Sequence, residues 1–507
     1  MLKDGRIWVA QTSDGRNISI LPGMTNRHGL IAGATGTGKT ITLKVLAESF
    51  SDMGVPVFLA DVKGDLAGMA RPGADSPDMQ ERIKRFGLSE AGFSYHSNPT
   101  AFWDIFGKKG MPLRTTVSEM GPLLLTRILD LNEIQSQILS IVFKIADDSS
   151  LLLIDTKDLK AMLNYVDENS RQYREQYGNI PAASIAAIMR AVTALELNGG
   201  DVFFGEPALN ISDWFTVDAD GKGMINILDS ESLIGDTALY STFLLWMLSE
   251  LFETLPEVGD LDKPKMVFFF DEAHLLFKDN QKALLDKIEQ VVKLIRSKGV
   301  GIFFITQNPG DIPDGVLAQL GNRIEHGLRA YTPSDQKAVK SAAESFRVNP
   351  GFDTYETIMN LGTGEAVVSF LDEQGMPEIS EKVSILPPQS LMGAIDDEVR
   401  QQIIKGSILY SKYENAEDPD SAYELLKRKG IEKARDDEKA ANEAADNKKA
   451  ANANKRAVKS VASTITGTIG RQVGKQVGGQ FGSFGKTLGG NLGASLGRGI
   501  LSTLFKI

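Results

Sequence analysis

Eight residues, Gly33-Ala34-Thr35-Gly36-Thr37-Gly38-Lys39-Thr40, bring glycines, an ammonium and a hydroxyl together at the spacing a polyphosphate requires. An apolar run, His28-Gly29-Leu30-Ile31-Ala32, leads into them and a helix-compatible run over 41–50 follows, the strand, glycine loop, helix order of a phosphate-binding loop. The glycines let successive backbone N–H groups turn inward around a phosphate, and the helix N-terminus adds partial positive charge. Lys39 is expected to reach the terminal phosphates and Thr40 to offer its hydroxyl to a metal, so the expected ligands are ATP and Mg²⁺.

A second constellation, Lys265-Met266-Val267-Phe268-Phe269-Phe270-Asp271-Glu272-Ala273-His274, is an apolar strand ending in two carboxylates. Asp271 would hold the metal's water shell and Glu272 would polarise the attacking water. Alone this pattern fits any buried strand with a solvated acidic end; in one chain with the phosphate loop it reads as a hydrolytic centre. His274 reads as a residue that caps or packs behind the strand. A third strand, Val300-Gly301-Ile302-Phe303-Phe304-Ile305, ends in Thr306-Gln307-Asn308-Pro309, which places Gln307 to sense the γ-phosphate or orient water. Just before that strand, Arg296 fits two roles: an arginine finger inserted into a neighbouring subunit's site, or an exposed cation at a helix end. Arg323 and Arg329 are rival fingers. Asp61 and Lys63, after the apolar run 55–60, face the site or form a plain salt-bridged loop.

The elements that must position these groups alternate strand-like and helix-like patterns, as an α/β fold with a mostly parallel sheet requires. Residues 6–21 alternate apolar and polar around Ser13-Asp14-Gly15-Arg16, which predicts a hairpin with Asp-Gly in the turn. Helical spacing dominates 120–131, 133–146, 156–165 and 181–197; strand character returns at 223–229, followed by an apolar helix over 237–255. Further on, 281–298 and 334–345 read as helices and 361–371 as a late strand or hairpin. The predicted organisation is a hairpin lead-in (1–28), a nucleotide-binding core in two parts (29–112 and 223–390), a helical insertion (113–222), a charged helical linker (391–460) and a glycine-patterned tail (461–507). In that tail Gly470, Gly474, Gly478 and Gly482, then Gly485, Gly489, Gly493 and Gly497, recur every four residues beside an apolar stripe. On a helix this makes a surface for close approach of a partner helix, and Arg471, Lys475, Lys486, Arg498 and Lys506 suit peripheral contact with a membrane. A disordered glycine-rich tail fits the same composition.

The 507 residues are 42% hydrophobic, enough for a large core. There is no cysteine, and His28, His96, His274 and His326 show no ligand spacing, so disulfides and a structural zinc site are not expected. The first residues carry no apolar signal core and no apolar run is long enough to span a bilayer, which makes the cytoplasm the expected location. A net charge of −11 argues against a chain coated in basic surface, though not against a basic patch lining an oligomeric channel.

Together GATGTGKT, the strand-end DVKGD, KMVFFFDEAH, RSKGVGIFFITQNP and LGTGEAVVSF resemble the HerA–FtsK superfamily of P-loop ATPases, in particular its bacterial YjgR-type members with a HerA C-terminal-like helicase domain. The resemblance covers residues 5–410. It implies a RecA-like fold, with Lys39 and Thr40 at the phosphates and metal, Asp271 and Glu272 as metal-holding residue and base, Gln307 as sensor and Arg296 as the finger in trans. It further implies a homo-oligomer, typically a hexameric ring, that moves DNA or sometimes protein through a central channel. The residues before Gly33 are expected to be too few for a full N-terminal β-barrel such as that of archaeal HerA. A second reading stays open: an ATP-switched assembly or membrane-associated scaffold without translocation. A kinase is disfavoured, because Glu272 directly follows Asp271 in the water-activating arrangement and no acceptor site is recognisable.

Overall fold

The computed structural model describes residues 1–233, 237–277 and 282–430; the expected glycine-patterned tail and the charged stretch beyond 430 lie outside the described residues. The chain divides into two compact units. The first comprises Met1–Thr116, Leu124–Leu131 and Thr193–Asp418, the second Val117–Leu123, Asn132–Val192 and the chain from Pro419.

The first unit is built on one 13-stranded sheet. Its strands are β1 (Leu2–Lys3), β2 (Arg6–Thr12), β3 (Asn17–Ile20), β4 (Gly29–Ala32), β5 (Val57–Asp61), β6 (Thr100–Asp104), β7 (Met111–Pro112), β8 (Ile225–Asp229), β9 (Met266–Phe270), β10 (Val300–Thr306), β11 (Asn322–His326), β12 (Glu365–Ser369) and β13 (Glu381–Ile385). The order is β1-β2-β13-β12-β11-β4-β10-β9-β5-β8-β6-β7, with β3 on β2. From β11 to β7 the neighbours run parallel; from β11 outward to β1 they are antiparallel. β4, β5, β8, β9 and β10 are buried along their whole length, which is why they read as unbroken apolar runs rather than alternating ones. The predicted hairpin is β2–β3, and Gly15 takes the positive φ (84°) its turn needs.

The helix Lys39–Asp52 lies on one face of the sheet, where Phe50 sits 6.3 Å from the rings of both Phe269 and Phe303. On the opposite face Phe58 stacks on Trp214 at 4.8 Å, and the Trp103 indole N–H donates to Asn226 Oδ1 at 3.0 Å. Three charged residues of the same helix are buried, Lys39 at its start and then Lys44 and Glu48. Glu48 accepts from Gln389 N (2.8 Å), Ser390 N (3.1 Å) and the Ser390 hydroxyl, while Lys44 donates to the Leu391 carbonyl, so residues 389–391 are fastened across the helix as a strap. A satellite core of Leu328, Val339, Ala342, Phe346, Ile358, Leu361 and Val367 anchors the helices Pro333–Glu344 and Thr354–Asn360.

The second unit is helical, with Glu133–Asp148, Thr156–Glu168 and Ser170–Tyr177. Asn132 with Gln135 and Asp155 with Asp158 form capping boxes, which start two of these helices where the apolar spacing begins. Asp158 also accepts from the Ser421 hydroxyl (2.6 Å) and Tyr423 N (2.7 Å), tying residues 421–423 into this unit. The helix Ala182–Leu197 follows. Among the described residues no single helix is long and apolar enough to cross a membrane, and no group of His, Asp and Glu is arranged to hold a metal ion alone.

Candidate functional site

The glycine loop joins the C-terminal end of β4 to the helix beginning at Lys39, at the edge of the parallel sheet where ligands of such folds sit. Gly33 has φ 149°, and a Cβ there would fall 2.5 Å from His326 Cβ and 2.9 Å from Thr37 Oγ1. Gly38 is the helix N-cap at φ 117°, a conformation that side chains rarely adopt. The loop is held from two sides: Ala34 N donates to Gly327 O (3.0 Å) behind β11, and Gly364 N, ahead of β12, donates to Thr37 O (2.9 Å). Thr37 Oγ1 closes the turn internally on Ala34 O at 2.7 Å. Lys39 starts the helix and donates to Gly33 O (2.5 Å) and Ala34 O (3.1 Å). Burial holds its ammonium below the ordinary lysine range; Asp271, Glu272 and Glu325 oppose this, and Lys63 adds to it. Thr40 follows, half-buried, while Thr35 and Gly36 are exposed at the loop's tip.

Asp271 and Glu272 leave the end of β9. Asp271 Oδ1 accepts from Glu272 N (2.9 Å), and the Tyr240 hydroxyl, from the helix Thr237–Thr254, donates to Asp271 O (3.0 Å). Burial, with the like charge of Glu272, pushes the Asp271 carboxyl up to about 6. Glu272 takes the left-handed conformation (φ 48°, ψ 45°) and keeps its carboxylate largely covered. Gln307, one residue past β10, donates through Nε2 to both Glu272 oxygens (3.2 and 3.3 Å) and through Oε1 accepts from Thr35 Oγ1 (3.3 Å). Lys63 Nζ lies 3.8 Å from Glu272 Oε1, and His274 Nδ1 lies 3.4 Å from Oε2. Three strand ends and the glycine loop thus converge on one carboxylate, and all the predicted residues except Arg296 lie at this edge.

Arg296 lies in a short 3-10 turn before β10, at the opposite edge of the sheet, with Nη2 3.5 Å from Asp260. The seven residues of β10 separate it from Gln307 by roughly 20 Å at ~3.3 Å per residue. Of its rivals, Arg323 is not available as a finger: it lies within β11 and donates to Leu320 O (3.3 Å) and Leu317 O (3.1 Å). Arg329 is exposed just beyond β11 and donates to Met359 O (3.3 Å).

The sequence carries no strand signal at β11, because Asn-Arg-Ile-Glu-His does not resemble a buried strand. Yet β11 pairs directly with β4 and supplies two buried groups beneath the loop. His326 Nδ1 faces Glu365 O (2.9 Å), so it carries the proton, and Nε2 accepts from the Thr42 hydroxyl (2.8 Å). Burial lowers its pKa to about 4, keeping the ring neutral. Glu325, paired in register with Ala32, is 2% exposed, and its Oε1 has no hydrogen-bond partner.

A family model described as "Helicase HerA-like C-terminal" matches residues 7–506. The chain belongs to that family. Among curated members of related sequence, the DNA double-strand break repair helicase HerA of Sulfurisphaera tokodaii is 24% identical over 351 residues, covering 68% of this chain and 62% of the relative. The match therefore spans less than two thirds of that relative's length. Among solved structures, the bacterial conjugative coupling protein TrwB aligns over 78% of this chain and 92% of its own, with TM-score 0.51 and 15% identity. TrwB in complex with ADP and Mg²⁺ aligns over 74% of this chain and 88% of its own, with TM-score 0.50 and 15% identity. The fold of this HerA-like chain is thus that of the RecA-like P-loop ATPases, as the resemblance implied.

Proposed function

We propose that the chain is an Mg²⁺-dependent ATPase whose hydrolysis drives an oligomeric ring along DNA. The observation that carries the hydrolytic part is the Gln307 amide, which links Thr35 of the phosphate loop to the Glu272 carboxylate. A phosphate-binding loop alone binds; a loop coupled through one side chain to a sheltered carboxylate can also direct a water. The donor set at the loop fits the metal: the Thr40 hydroxyl and the Asp271 carboxylate are hard oxygens of the kind that hold Mg²⁺ beside nucleotide phosphates. When bound, the metal would neutralise charge on the phosphates. In this reading Lys39 exchanges its bonds to Gly33 O and Ala34 O for phosphate oxygens, Glu272 takes the proton from the attacking water, and Gln307 reports the state of the loop to that carboxylate.

The ring and the DNA rest on the family and on the relatives' names. Arg296 fits a finger in trans, because its distance from its own site leaves the guanidinium to a neighbour. Steady-state phosphate release from the wild type, Lys39→Ala and Glu272→Gln tests the core of the proposal. Glu272→Gln is expected to lose about 10²-fold or more in turnover while still binding a non-hydrolysed ATP analogue; undiminished turnover in both variants would refute hydrolysis at this site. Mixing Arg296→Ala with Glu272→Gln subunits should restore part of the activity, and no rescue at any ratio would remove Arg296 from the trans role. DNA-stimulated turnover that falls steeply with salt supports the DNA motor. Absence of DNA binding at low salt favours the ATP-switched assembly.

A further inference from the structure

The loop after β5 has a construction that hydrolysis by the residues above does not explain. Asp61, 2% exposed, accepts three backbone amides with one carboxylate: Lys63 N (3.2 Å), Gly64 N (2.8 Å) and Leu66 N (3.1 Å). Gly64 turns at φ 75°. Behind this turn, Gly68 packs so tightly that a Cβ would lie 2.2 Å from Leu391 O and 2.3 Å from Gly393 O. Leu391 belongs to the strap fastened to Lys44 and Glu48 of the phosphate-loop helix, and Gly393 follows it directly in the chain beyond Met392. The backbone of Lys63 is therefore fixed from both sides, and fixed relative to the glycine loop.

What the turn presents is a second ammonium. Lys63 Nζ reaches Glu272 Oε1 at 3.8 Å, and its charge is also felt at Asp271 and Lys39. A side chain half exposed to solvent has no need of this partner, and a cation placed near Lys39 is repelled by it. Gln307 meets the two Glu272 oxygens almost equally, at 3.2 and 3.3 Å, and His274 Nδ1 lies 3.4 Å from Oε2. Lys63 engages Oε1, the oxygen that His274 does not face, so the carboxylate is approached at both of its oxygens. Glu272 itself sits at φ 48°, a left-handed conformation unfavourable for a non-glycine residue that persists where surroundings over-determine it.

We propose that Lys63 is a positioning residue for the hydrolytic base: together with Gln307, its ammonium selects one orientation of the Glu272 carboxylate. The proposal rests on the hydrolytic reading above and adds to it a role for the β5 loop.

The test compares Lys63→Ala and Lys63→Arg with wild type and Lys39→Ala, by steady-state ATP hydrolysis and by direct binding of a non-hydrolysed ATP analogue. Lys63→Ala is expected to lower kcat about tenfold to a hundredfold, the scale of a small misplacement of a reacting group. KM and analogue affinity should stay within about twofold, and Lys63→Arg should recover most of the loss. The pair Lys63→Ala with Gln307→Ala should lose less than the product of the single losses, since both act on one carboxylate. A Lys63→Ala kcat within twofold of wild type overturns the proposal. So does a parallel fall in analogue affinity, which would make Lys63 a phosphate ligand. Wild-type turnover that survives Lys39→Ala would instead refute hydrolysis at this loop, and the positioning role with it.

Discussion

Replacing Glu325 by glutamine is expected to change the pH dependence of stability without altering the shape of the core. Glu325 is buried beside the phosphate-loop strand, and burial pushes its carboxyl up to about 8 from an ordinary 4.5, with Arg323 and Lys39 opposing the shift. Below pH 4.5 the folded and unfolded chains both hold the proton, so the group does not favour unfolding. Between 4.5 and 8 the unfolded chain releases the proton and the folded chain retains it. Each pH unit in that window therefore removes up to about 1.4 kcal/mol of stability, and the whole window removes up to about 5 kcal/mol. The amide is neutral throughout and isosteric, so the variant escapes the loss. Urea unfolding of both proteins from pH 5 to 8.5 should show a stability difference that grows with pH, reaching several kcal/mol in favour of Glu325→Gln. Asp61 and Glu253, raised to about 7, and His28 and His326, lowered to about 4, also bend the curve of each protein, but they are common to both and cancel in the difference. A difference that stays flat from pH 5 to 8.5 would refute a buried carboxyl held protonated at this position.

Gly33→Ala places a methyl group 2.5 Å from His326 Cβ at a φ that alanine avoids; melting and analogue binding should show a loss of about 2 kcal/mol or more in stability and no measurable binding. Glu48→Ala strips the partners from Gln389 N, Ser390 N and the Ser390 hydroxyl at once. The expected cost is about 3 kcal/mol by urea unfolding, accompanied by earlier proteolytic cleavage in the strap at 389–391.

The parts of the site that could be read from the sequence are those made of consecutive residues. The glycine loop carries its own geometry, and Phe268, Phe269 and Phe270 announce a strand buried on both faces before Asp271 and Glu272. Gln307 was legible by position, one residue past an apolar strand. The illegible parts depend on pairings between distant segments. β11 looks like a polar loop because Arg323 spends its charge on nearby carbonyls and His326 is satisfied by Thr42 and Glu365, partners that no local pattern reveals. The same holds for Lys63: its sequence context allowed an ordinary salt-bridged loop, and only the approach of β5 to β9 brings it to Glu272. Arg323 passed as a finger for the opposite reason, since a charged residue near the site reads as available until its burial is known.

The sheet order has a consequence for synthesis. β4 and the glycine loop are complete within the first forty residues, but the loop is flanked by β10 and β11 and braced by Gly327 and Gly364. β2 waits longer still, for β13, where Thr12 meets Val383. Pairings this remote in sequence make folding slow, and early in synthesis only the local β1–β2–β3 pairings are available. A chain interrupted before residue 364 therefore carries every residue of the phosphate-binding motif and lacks the walls that give it shape.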